Sequence, residues 1–61
     1  MNPLFDVFEL QPDKRLIWVK RFERMDEAKR YAEKLHAASE TRYVIYSVRE
    51  RKILQNHYSS L

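Results

Sequence analysis

From Leu4 to Leu10, and again from Arg15 to Phe22, apolar residues fall on both alternating sets of positions, so each run reads as a strand with two oily faces. Gln11-Pro12-Asp13-Lys14 stands between them as a turn: Pro12 suits the second position of a type I turn and Asp13 the third. Lys14 then falls on the left-handed bulge position, where glycine is preferred, at a cost of about 1 kcal/mol. A three-residue loop pairs Gln11 with Arg15, Leu10 with Leu16, Phe8 with Trp18 and Asp6 with Lys20. That register sets an aromatic pair and an opposite-charge pair directly across the hairpin.

Between Met25 and about Ala38 the period changes. Met25, Ala28, Ala32 and Leu35 recur at helical spacing, with Tyr31 and Ala38 flanking the stripe. Asp26 and Glu27 in the first turn and Lys34 and His36 near the other end suit the helix dipole. Arg24 stands where Ser, Thr or Asp would cap the helix. After the short Ser39-Glu40-Thr41 connection, Thr41 to Val48 reads as a third strand, dense in β-branched and aromatic residues. Arg49-Glu50-Arg51-Lys52 is a charged turn, and Ile53-Leu54 returns as a short fourth strand. Residues 55–61 carry no pattern and read as a frayed tail, leaving a core of about 4–54.

The order ββαββ predicts one α+β domain in two layers, an antiparallel sheet of two hairpins with one helix packed on one face. On the first hairpin one face carries Leu4, Phe8, Leu10, Leu16, Trp18 and Phe22. The other carries Phe5, Val7, Ile17 and Val19, with Glu9, Arg15 and Arg21 toward its edges. In the third strand Val44, Tyr46 and Val48 oppose Tyr43 and Ile45. The pattern leaves open which set the helix covers. A single helix shields one face, so the other is expected to meet a partner, as a homodimer or against another protein. Phe8, Leu16, Trp18 and Phe22 are the expected anchors, since large desolvated side chains carry interface energy. The alternative is that the C-terminal segment, with Tyr58 and Leu61, folds back over that face.

Composition narrows the classes. Sixty-one residues lie near the lower limit for a domain without a staple, and there is no cysteine for disulfides or thiolate metal sites. Glycine is absent, so phosphate-cradling loops and nucleophile elbows cannot be built in standard form. No stretch could span a bilayer, and Met1 to Asp6 has neither a basic region nor a long apolar run, so a signal peptide is not expected and a cytoplasmic setting is. The helix's polar face carries both signs of charge, which argues against membrane attachment.

Candidate chemistry is sparse. Glu33-Lys34-Leu35-His36 has the Glu-x-x-His spacing of di-metal bundles, but as a single copy it reads as a solvated helix end, and His57 as an exposed tail residue. Ser39, Ser47, Ser59 and Ser60 have no histidine or lysine placed to activate them. A two-layer domain of this size offers little concavity for a small-molecule substrate. The expectation is a protein without enzymatic activity, cofactor or metal.

Nucleic-acid binding is the rival. Lys14, Arg15, Lys20 and Arg21 lie on the first hairpin beside Trp18, with Arg24 and Phe22 following, and could hold phosphates while Trp18 stacks on a base. Asp6, Glu9, Asp13 and Glu23 in the same stretch dilute the potential. The net charge of +3 comes from 12 basic and 9 acidic residues that are interspersed, the usual form of a solvated surface.

The run Ile17-Trp18-Val19-Lys20, then Phe22, then Asp26-Glu27-Ala28 opening a helix and Tyr43-Val44-Ile45-Tyr46, resembles small bacterial ββαββ proteins of unknown function. In these a Pro-Asp-Gly turn precedes a Trp-containing strand; here Lys14 replaces the glycine. The resemblance spans about Phe5 to Leu54 and implies architecture rather than activity. The arm-type DNA-binding domains of tyrosine recombinases are similar in their strands and Glu-Ala helix, although Arg24 replaces their Thr and one leading strand is missing. HicB-type antitoxins are similar in strand–strand–helix order but are rich in glycine. No site residue is carried over from either.

Overall fold

The computed structural model describes residues 4–57, with side-chain surroundings through Leu54. Strands β1 (Phe5–Leu10) and β2 (Leu16–Phe22) precede helix α1 (Met25–Ser39), and β3 (Arg42–Ser47) and β4 (Lys52–His57) follow it. All four strands form one antiparallel sheet in the order β2-β1-β3-β4, the two-layer α+β arrangement. The first two strands thus make a hairpin, yet β1 also pairs with β3, with Val7 opposite Ile45 and Phe8 opposite Val44. Helix α1 carries the chain from the β2 edge past β1 to its far side.

The hairpin turn forms as the residues dictate. The Lys14 N–H donates to the Gln11 carbonyl at 2.8 Å and Gln11 N–H to the Arg15 carbonyl at 2.9 Å. Lys14 sits at φ 74, the left-handed position. Asp13 steadies the turn by accepting from the Arg15 backbone N–H at 3.1 Å.

Helix α1 buries Ala28 and Ala32 completely, and Met25, Tyr31 and Leu35 pack around them; Ala38 is exposed. Alanine at both central positions lets the helix lie close on Val7, Tyr43 and Ile45, the buried sheet residues of the core. The helix therefore covers the face with Phe5 and Val7, a choice the pattern had left open. Its N-cap, Arg24, makes no side-chain capping bond, and Glu40 closes the other end in a left-handed conformation, φ 59, donating its N–H to the His36 carbonyl.

Two expectations are corrected. Between Val7 and Phe8 the register with β2 shifts, Val7 facing Lys20 and Phe8 facing Trp18, so Val19 is an extra, bulged residue. A bulge reverses face parity beyond it. Phe22 consequently leaves the Phe8–Trp18 face for the helix side, opposite Phe5, while Arg21 crosses the other way and pairs with Asp6 in place of Lys20. The second correction is length: β4 runs to His57, and a second bulge at Leu54 lets Tyr46 face Ile53 while Ile45 faces Gln55. A short strand ending at Leu54 would not cover β3, whose long apolar run needs a neighbour on each side. Tyr58 and Leu61 lie outside the described residues.

Candidate functional site

The sheet face away from α1 carries Leu4, Asp6, Phe8 and Leu10 from β1 and its approach, Leu16, Trp18 and Arg21 from β2, and Val44, Tyr46 and Ile53 from β3 and β4. It is not uniformly bare. Val44 at its centre is buried, as is Asp6, and Phe8 and Tyr46 are half-buried in an edge-to-face contact at 6.2 Å. Exposure is concentrated at the margins: Leu16 at 43% and Trp18 at 55% on β2, and Ile53 at 45% on β4. On the helix side, beyond the reach of α1, Ile17 is 47% exposed.

Asp6, 5% exposed, accepts Arg21 Nε at 2.7 Å and Nη2 at 3.1 Å, a two-pronged ion pair. The Arg21 bond, opposed by burial and aided by the nearby Trp18 side chain, holds the Asp6 carboxyl below the ordinary aspartate value. Much of the neighbouring Trp18 ring faces outward. Asp6, an acid alternating with Leu4, Phe8 and Leu10 on one face of β1 and its approach, was the available signal for this ion pair; without the bulge, Arg21 could not be placed beside it.

Of the expected anchors, Phe8, Leu16 and Trp18 share this face and Phe22 does not. Phe22 packs against Tyr31, ring centroids 5.1 Å apart, at the rim of the core.

The basic residues considered for nucleic acid are dispersed. Lys14 lies in the exposed turn and Arg15 binds Asp13 at 2.8 Å. Lys20 stands over Phe22 and Tyr31 on the helix side, its Nζ 5.4 Å from each centroid. Arg21 is on the opposite face with Trp18, and Arg24 binds Asp26 at 3.2 Å. No common track runs through them.

The other candidates within the described side chains are accounted for locally, while the His57 side chain, Ser59 and Ser60 lie outside the described residues. His36 Nδ1 lies 2.8 Å from the Thr41 carbonyl; a carbonyl can only accept, so the proton sits on Nδ1 and the ring braces the turn into β3. Ser39 donates to the Leu35 carbonyl, and the buried Ser47 accepts from the Glu50 N–H at 3.0 Å in the β3–β4 turn. Among the described residues no three His, Cys, Asp or Glu side chains converge as metal ligands, and no helix is long and apolar enough to cross a membrane. A half-open cleft of about 680 Å³ lies where the hairpin tip meets the α1–β3 connection, larger than the sequence suggested. Its charged walls, Glu9 and Glu40 against Lys14 and Arg42, balance in sign and include no nucleophile with a base at hand. No protein-family model matches the chain, and neither the curated proteins nor the solved structures provide a match.

Proposed function

We propose that this is a non-enzymatic protein-interaction module that associates with a second copy of itself through the apolar surface centred on Trp18. The single observation that carries the reading is Trp18 itself: an indole 55% exposed on the edge strand, beside the exposed Leu16. A large exposed aromatic desolvates a large area on binding, a feature of interface anchors. In a chain of 61 residues a second apolar contact would also add to a small core.

Sedimentation equilibrium over a range of concentration tests this. The expected result is association that persists at high salt, because apolar contacts are not screened. Trp18→Ala should return the chain to monomer with its fold retained. A wild-type mass of one chain at every concentration would sink the reading. Binding to an oligonucleotide that falls steeply with salt would replace it with phosphate recognition.

A further inference from the structure

We infer that the second copy adds to the free edge of β2, antiparallel, about a two-fold axis through Ile17. The inference rests on the self-association proposed above and specifies its geometry. Strand β2 ends the sheet, so among the described residues one side of it has no neighbour. Among the described residues, the large apolar side chains left exposed include Leu16, Ile17 and Trp18, three consecutive positions on this one strand. Consecutive residues point to opposite faces. A partner laid on either face would reach Leu16 and Trp18 or Ile17, but not both sets. A strand added at the edge flanks all three.

The backbone supports one register. Gln11 N–H donates to the Arg15 carbonyl, so Gln11 and Arg15 form a hydrogen-bonded pair of the hairpin. In an antiparallel ladder bonded and non-bonded pairs alternate. Glu9–Ile17 is then bonded inward, whereas Leu16 and Trp18, opposite Leu10 and Phe8, direct their N–H and C=O groups to the free edge. Setting Leu16 against Trp18 of the second copy, and Trp18 against its Leu16, makes two fully bonded pairs, with Ile17 meeting its own copy between them. Moving the register by two residues would set Leu16 against Lys20, in the bulge, or Trp18 against Lys14, in the turn. The stretch between turn and bulge thus fits itself in one alignment.

Charged side chains commonly guard such an edge. Here they are drawn away from it: Arg15 to Asp13 at 2.8 Å, Arg21 to Asp6 at 2.7 Å, and Lys20 inward over the rings of Phe22 and Tyr31. Leu16 and Trp18 of the two copies then form one apolar cluster on the outer face, and the paired Ile17 side chains cover each other on the helix side.

The test is a synthetic full-length chain carrying an N-methyl group on the Leu16 amide, which blocks an outward donor and leaves every side chain intact. Wild-type protein should approach twice its 7.5 kDa mass as concentration rises, and the N-methyl chain should stay at that single-chain mass with an unchanged circular dichroism spectrum. Ile53→Lys, at the opposite margin of the sheet, should dimerise like wild type. Amide exchange in the unmodified protein gives a second measurement: Leu16 and Trp18 should slow as concentration rises, while Ile17 should not respond directly. An N-methyl chain that dimerises normally, or Leu16 and Trp18 exchange independent of concentration in a dimerising protein, would overturn edge pairing and leave self-association standing. A wild-type monomer at every concentration would overturn both.

Discussion

Arg21 sets two of its nitrogens on the two carboxylate oxygens of Asp6, at 2.7 and 3.1 Å, across the outermost strand pair of the sheet. The contact lets a nearly buried carboxylate stay ionised among apolar neighbours. One ion pair therefore links the edge strand β2 to its neighbour β1.

Acid should expose this linkage. The folded chain holds Asp6 below its ordinary pKa of 3.8, first through Arg21 and then through Trp18. Because the folded pKa is depressed, the unfolded chain takes up the proton first as pH falls. The stabilisation is present above 3.8 and is lost as pH drops through the lower folded value. Asp26, lowered chiefly by its hydrogen bond from Arg24, acts in the same direction. Urea midpoints measured against pH should therefore fall less steeply in acid for Asp6→Asn than for wild type, with some slope remaining from Asp26. Identical slopes would show that the Asp6 contact does not matter in solution.

Phe22 and Trp18, neighbours in composition and strand, should behave oppositely. Phe22→Ala removes a half-buried ring from the Tyr31 contact and should cost about 2 kcal/mol of stability, less than full burial would imply. Trp18→Ala should lower self-association while leaving the thermal midpoint of dilute protein close to wild type. Thermal unfolding and sedimentation of the two variants separate these effects; a Phe22→Ala protein as stable as wild type would contradict its place at the core rim.

Three residues with side chains occupy left-handed backbone positions: Lys14 at φ 74, Glu40 at φ 59 and Arg51 at φ 59. Each ends a turn or a helix where glycine would enter without its Cβ clashing. Lys14→Gly, Glu40→Gly and Arg51→Gly should each stabilise by about 1 kcal/mol, a rise of roughly 4–8 °C in Tm for a domain of this size. A fall in Tm for all three would mean that these conformations carry no strain.

The close approach of helix and sheet depends on Ala28 and Ala32, both fully buried. Ala32→Leu should destabilise by about 1–3 kcal/mol, because a packed interior cannot accept the extra methylenes without moving the helix. Ile45→Ala should cost about 2–5 kcal/mol from the cavity it leaves in the middle of β3. Chemical denaturation would measure both, and a neutral Ala32→Leu would indicate a helix resting higher on the sheet.

The periodicities alone determined the element order, the Met25–Leu35 stripe, the Lys14 turn geometry and the uncapped start at Arg24, because each depends on residues a few positions apart. Leu10–Leu16 and Phe8–Trp18 were legible for the same reason: a short loop sets the register of the strands it joins. Tertiary structure decided the rest. The insertion of β1 between β2 and β3 brings Val7 against Ile45 across much of the chain, a pairing no local pattern encodes. The choice of covered face followed from which side chains fit beneath Ala28 and Ala32. Above all, the bulge at Val19 reversed the faces of Arg21 and Phe22. Strict alternation is a local rule, and an extra residue in one strand is set by what the sheet must bury on each side; here that requirement joins Arg21 to Asp6 and turns Phe22 toward the helix.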